Sequence, residues 1–102
     1  MKITEIEIYR VTLPYDEARA YELIHYHDLS QRTIYVVHTD TGLIGLGEGE
    51  RPERQEVLDQ YIGSNPFDWI GDETSLGLGT AMYDLMGKAA GVPVYKLFGQ
   101  KY

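Results

Sequence analysis

From Leu78 to Pro93 an apolar helical stripe runs into a hard stop, and no other stretch constrains the fold as strongly. Leu78, Met82, Leu85 and Ala89 recur at spacings of four, three and four, the period of one helix face. Asp84 and Lys88 stand one turn apart in the favourable acid-before-base order, worth about 0.3 kcal/mol. Gly91 suits a left-handed C-terminal residue, and Pro93 prevents the helix from resuming. Gly77, Gly79 and Gly87 lower helix propensity, which predicts that another element packs closely on that backbone. A helix of this kind has to bury its stripe on a sheet or on other helices.

The first half of the chain offers the sheet. Lys2 to Leu13 reads as a strand whose apolar phase shifts: Ile6 and Ile8 lie on one face, Ile3, Tyr9, Val11 and Leu13 on the other. A bulge near Tyr9, or cover on both faces, would account for that. Pro14 ends it. Arg32 to Thr39 is the clearest strand, with Ile34 and Val36 opposed to Tyr35 and Val37. Asp40-Thr41-Gly42 is a turn, and Leu43 to Glu48 returns as its hairpin partner with Leu46 at the centre.

Helices then follow. Arg51-Pro52-Glu53 is expected to open one, with Pro52 at the first helical position and Val57, Leu58, Tyr61 and Ile62 as the stripe. Phe67, Trp69 and Ile70 are expected to plug the seam between sheet and helices, and Asp72 or Thr74 to cap the second helix. The predicted fold class is α+β, a three-stranded antiparallel meander followed by a helical layer.

Charge and cysteine content exclude several functions. Nine basic residues against sixteen acidic ones give a formal charge of -7, opposite to what a nucleic-acid or acidic-membrane partner requires. With no cysteine there is no disulfide, thiolate nucleophile or Cys-based zinc site. The opening Met1-Lys2-Ile3-Thr4-Glu5 has no apolar signal region, and no run reaches membrane-spanning length, so a cytoplasmic protein is expected.

Candidate chemistry is sparse. Tyr15 to Gln31 is 17 residues without a clean period, and Tyr15, Arg19, Tyr21, His25, Tyr26 and His27 give it the composition of a contact loop rather than a linker. His25 and His27, with His38 as a third, could be imagined on a metal, but zinc and iron need three or four ligands and a second shell, so a surface pair is the preferred reading. Glu48 and Glu50, with Asp28, invite an acid–base pair, yet no nucleophile or oxyanion donor accompanies them. The Gly45-x-Gly47-x-Gly49 run lacks the spacing and the strand-to-helix setting of a nucleotide cradle; it is better read as a strand end permitting close backbone approach.

Two signatures carry a family resemblance. Ala81-Met82-Tyr83-Asp84-Leu85-Met86-Gly87-Lys88-Ala89-Ala90-Gly91-Val92-Pro93-Val94-Tyr95-Lys96-Leu97-Phe98-Gly99 resembles the segment closing the N-terminal domain of mandelate racemase and muconate-lactonising enzymes, in the enolase superfamily. Thr39-Asp40-Thr41-Gly42-Leu43-Ile44-Gly45-Leu46-Gly47-Glu48-Gly49 resembles the hairpin signature of the same domain, and Lys2-Ile3-Thr4 with Leu13-Pro14 its opening strand. Phe98 stands where a second Leu is usual, and the segment between Phe67 and Ala81 is short where the family often places another helix.

The resemblance implies a capping domain over residues 1–99, with 100–102 beginning the connection to a (β/α)₈ barrel that these residues do not include. In that family two loops of the capping domain overhang the barrel mouth, close off water and help select the substrate. Here they map to Tyr15–Gln31 and Glu48–Glu53, making Tyr15, Arg19, Tyr21, His25, Tyr26, His27, Glu48, Glu50 and Arg51 the substrate-loop candidates. The implied reaction, in a racemase, cycloisomerase or acid-sugar dehydratase, abstracts a proton α to a carboxylate and holds the enediolate on a divalent metal. Its acids and bases lie on the barrel, so no catalytic residue and no metal ligand is assigned to this chain; Mg²⁺ is expected in the barrel of the full-length enzyme. The implied partners are that barrel and a small carboxylate substrate, with a homo-oligomer left open. The alternative is a stand-alone binding or assembly module that kept the fold without the enzyme.

Overall fold

The computed structural model describes residues 1–12 and 31–91. Three antiparallel strands in the order β1 (Ile3–Thr12), β2 (Gln31–Thr39) and β3 (Ile44–Gly49) form one sheet. Helix α1 (Gln55–Tyr61), a 3₁₀ turn (Pro66–Trp69) and helix α2 (Leu76–Ala90) follow. The architecture is the expected α+β meander with its helical layer.

The phase shift in β1 has its cause at the start of the strand rather than near Tyr9. Ile3 pairs with Thr39 and Glu5 with His38, so Thr4 is the extra residue and the register is regular from there to Thr12. The bulge moves Ile3 onto the face of Ile6 and Ile8, which sit opposite Val37 and Tyr35. Thr33, Tyr35, Val37 and Thr39 are buried on that face, while Tyr9 and Val11 are exposed on the other.

Helix α2 closes the core with Leu78, Ala81, Met82, Leu85 and Met86, all buried. Ala89, expected on the stripe, is exposed, and Met86 takes its place. The helix reaches the sheet through glycine. The core-facing positions of β3 are Gly45, Gly47 and Gly49, and Cβ atoms built at the two buried ones, Gly45 and Gly47, would meet Leu85 Cγ at 2.5 Å and the Gly77 carbonyl oxygen at 2.0 Å. Gly91, with φ of 70°, ends the helix in the left-handed region, as expected for a glycine stop.

Three local expectations give way to contacts from elsewhere in the fold. Helix α1 opens at Gln55 rather than at Pro52, because the Arg51 carbonyl and the Glu53 amide are both engaged by the Tyr35 hydroxyl. Ser75 rather than Asp72 or Thr74 caps α2, accepting from the Leu78 amide; Asp72 instead accepts from Thr74 and from the Tyr61 hydroxyl. In the 3₁₀ turn, where residues three apart share a face, Pro66 is buried and Trp69 half-buried, and Phe67 and Ile70 point to solvent. Trp69 stacks on Tyr61 with ring centroids 4.0 Å apart and donates its indole N–H to Ser64 Oγ at 2.8 Å.

Candidate functional site

The end of β3 and the start of α2 diverge, because Gly49 leaves the sheet just where Ser75 caps the helix. A cleft of about 530 Å³ lies between them. Glu48 and Glu50 line it from the strand side, Glu53 from the segment before α1, and Glu73 and Ser75 from the helix side. Arg32 is the one cation among the lining residues, and its Nε donates to Glu48 Oε1 at 2.8 Å. Four carboxylates against one guanidinium make the cleft a region of negative potential.

The segment carrying Glu50 and Glu53 has neither helix nor strand to hold it, and side chains of β1 and β2 do so instead. The Tyr35 ring is buried, and its hydroxyl donates to the Arg51 carbonyl at 3.2 Å while accepting the Glu53 N–H at 3.0 Å. Desolvation of the Tyr35 phenol is the main cause that raises its pKa. Arg10 Nη1 donates to the Glu50 carbonyl at 2.7 Å and to Thr33 Oγ1 at 2.6 Å, and its Nη2 to Gln31 Oε1 at 2.9 Å.

Of the residues singled out in the sequence, Glu48 and Glu50 come together in the cleft. Arg51 is exposed and contributes its backbone carbonyl to the Tyr35 contact. Tyr15, Arg19, Tyr21, His25, Tyr26 and His27 lie outside the described residues. His38 is on the outer sheet face, where its Nε2 contacts Glu7 Oε1. The Glu7 carboxyl is held below the usual range by the hydrogen bond from the Tyr9 hydroxyl and, next, by His38.

The site also contains residues that sequence reasoning passed over. Arg32 could have been found from the hairpin register: Ile34 lies opposite Glu48, so a side chain two residues earlier on the same face reaches that carboxylate. Glu53, Glu73 and the Arg10 and Tyr35 contacts depend on where α1 and α2 settle, which no local signal encodes. Among the described residues no group of three or more His, Cys, Asp or Glu side chains is set to hold a metal ion. No helix of the described residues is long and apolar enough to cross a membrane.

Known proteins with the same sequence pattern and fold can be named. The N-succinyl-L-Arg/Lys racemase of Bacillus cereus is 30% identical over 128 aligned positions that take in 100% of this chain and 34% of the racemase. Its crystal structure superposes with a TM-score of 0.70. Cis-3-hydroxy-L-proline dehydratase of Roseibium aggregatum is 29% identical, over 97% of this chain and 34% of the dehydratase. A dipeptide epimerase of Enterococcus faecalis, solved with Mg and the dipeptide L-Leu-L-Tyr, has a TM-score of 0.65 at 25% identity, over 95% of this chain and 34% of the epimerase. The chain thus spans about a third of the length of the relatives it matches. The racemase alignment is longer than the 102 residues of the chain, so the relative carries extra residues inside the matched span. Between Trp69 and Leu76 this chain has no helix. No protein-family model matches the sequence. On sequence, fold and coverage, the chain is similar to about a third of these racemases and dehydratases, consistent with an N-terminal domain of the mandelate racemase/muconate-lactonising group of the enolase superfamily.

Proposed function

We propose that this chain is the capping domain of an enolase-superfamily enzyme, that it closes the mouth of a (β/α)₈ barrel and shapes substrate choice, and that it has no turnover by itself. The observation that carries this reading is the coverage: relatives named as a racemase and a dehydratase align with 100% and 97% of the chain over only 34% of their own length. The barrel supplies the acids and bases, the Mg²⁺ site and the proton abstraction; the cap supplies the rim. Tyr9, Val11, Ile44 and Leu46, exposed on the outer sheet face, offer apolar surface for a second body, whether the barrel or another copy. The parent enzyme is assigned to the cytoplasm.

The charge of the cleft adds a substrate class. Four carboxylates favour a cationic over an anionic side chain on the substrate, at an end remote from the reacting carboxylate. The Bacillus cereus relative, named for N-succinylated arginine and lysine, accords with that choice. Tyr15, Arg19, Tyr21, His25, Tyr26 and His27 join Glu48, Glu50 and Arg51 as the proposed substrate-loop residues.

The test is the genomic reading frame through Tyr102. Its whole product, purified with Mg²⁺, is incubated in D₂O with N-acylated arginine, lysine and glutamate, and deuterium at the α-carbon is followed by NMR. Exchange with the basic substrates, little with glutamate and none with the 102-residue chain alone is the expected pattern. A stop codon directly after Tyr102, or a longer product that exchanges no α-proton, overturns the reading in favour of a stand-alone binding or assembly module.

A further inference from the structure

Glu50 and Glu53 stand on a wall of the cleft that has no secondary structure of its own, and three of its backbone groups are taken up by side chains from the sheet: Tyr35, Arg10 and, at 3.4 Å to the same Glu50 carbonyl, Thr33. We propose that Tyr35 and Arg10 are positioning residues for this wall: they fix the segment 50–53 to the sheet, so that it moves with β1 and β2 as a rigid rim and does not open as a flap. The role attached to the rim rests on the capping reading above; its rigidity does not.

The geometry separates this from ordinary loop packing. Tyr35 approaches from below the segment, with its ring 1% exposed and packed against Gly77, where a Cβ would meet Tyr35 Cε2 at 2.6 Å. The ring therefore has no alternative position, and the hydroxyl at its tip is a fixed point for both the Arg51 carbonyl and the Glu53 amide. Arg10 comes from the strand on the far side of β2. Its planar fork spans the Glu50 carbonyl, Thr33 and Gln31, and a planar five-donor group can make such contacts together where an ammonium cannot. One pin alone would leave the segment a hinge. Two pins, at Glu50 and across Arg51 to Glu53, leave the two carboxylate-bearing residues little freedom relative to the sheet.

Amide hydrogen exchange on the 102-residue chain, read residue by residue by NMR, tests this without a barrel or a substrate. Tyr35→Phe keeps the ring and removes the hydroxyl; the Glu53 amide is expected to exchange at least about tenfold faster, the loss expected when about 1.4 kcal/mol of local protection is removed. The amides of Val37 and Leu85 should keep their rates. Arg10→Met and Arg10→Lys, at an exposed position where misfolding is not a concern, should both raise the backbone mobility of residues 50–53 in ¹⁵N relaxation, with Lys failing to restore the wild-type value. Unchanged Glu53 exchange in Tyr35→Phe overturns the proposal, as does a rise of equal size at Val37 and Leu85. Should Tyr35→Phe not fold, unchanged 50–53 relaxation in both Arg10 variants overturns it equally. A rigid rim in a chain whose full reading frame shows no α-proton exchange would leave this inference standing and remove only the capping reading.

Discussion

Gly47 and Gly77 are packed so closely that a Cβ on the first would lie 2.0 Å from the carbonyl oxygen of the second. That contact is where α2 rests on β3, and it explains why the hairpin presents glycine at its two buried core-facing positions, Gly45 and Gly47. A side chain there would lift the helix off the sheet and with it the burial of Leu78, Ala81 and Met82.

Gly47→Ala is therefore expected to destabilise the chain by more than about 3 kcal/mol, beyond the usual range for overpacking, because the obstructing atom belongs to backbone and cannot rotate away. Gly49→Ala, two residues along, meets nothing nearer than 3.7 Å and should change stability by less than about 1 kcal/mol. Urea denaturation of the two variants against the parent measures the contrast. Similar losses in both would show that the helix does not sit on β3 in this way.

Gly79 has the opposite character. It lies inside α2, and a Cβ there would meet only the Asp72 carbonyl oxygen, at 4.0 Å. Gly79→Ala should raise stability by about 0.5–1 kcal/mol, chiefly by restricting the unfolded chain. A measured loss of stability would mean that the space beside Gly79 is filled.

These glycines also mark what could be read in the sequence and what could not. The stripe from Leu78 to Leu85, the stop at Gly91, the turn at Gly42 and the two faces of β2 follow from short-range periodicity and backbone preference, and all are present in the fold. Pro52 and Asp72 are strong local signals that point to the wrong positions, because Tyr35 and Tyr61 compete for the same groups across the fold. The bulge at Thr4 leaves only a phase shift in the sequence, which says that a residue is extra without saying where. The candidate site is less legible still. Glu48 and Glu50 stand out through the hairpin signature, whereas Glu53 and Glu73 join them only once both helices are in place.

The open edge of β3 yields a third expectation. Asp84 Oδ2 accepts the Leu46 N–H at 2.9 Å, Lys88 Nζ donates to the Ile44 carbonyl at 2.6 Å, and the two side chains pair with each other at 2.9 Å. An i,i+4 pair that looks like a minor surface bridge in the sequence thus occupies edge groups that would otherwise be free to recruit another strand. Asp84→Ala should cost about 1.5 kcal/mol, near the lower end for hydrogen bonds to charged groups since both side chains are partly exposed. Lys88→Ala should cost about 1 kcal/mol, and the double variant less than the sum, because the two share the edge. Denaturant titrations of the three variants give the coupling. Strict additivity would mean that the pair does not act on the edge as a unit.

Tyr61 ties stability to alkaline pH. Its ring is fully buried, and its hydroxyl donates to Asp72 Oδ2 at 3.3 Å. Burial first, and then the Asp72 carboxylate, push its pKa up from the usual 10 to about 12, since both disfavour a phenolate. The folded state therefore prefers the neutral phenol more than the unfolded state does. The corresponding stability is complete below pH 10 and drains away as the pH climbs from 10 through 12. The phenols of Tyr35 and Tyr9 are shifted in the same direction, so Tyr61→Phe should flatten this decline without abolishing it. Trp69, the single tryptophan, is stacked on Tyr61 and reports unfolding by fluorescence in both proteins. Denaturant midpoints at pH 9, 10.5 and 12 should fall more steeply for the parent than for Tyr61→Phe. Parallel declines would mean that the Tyr61 hydroxyl is as free to ionise in the folded chain as in the unfolded one.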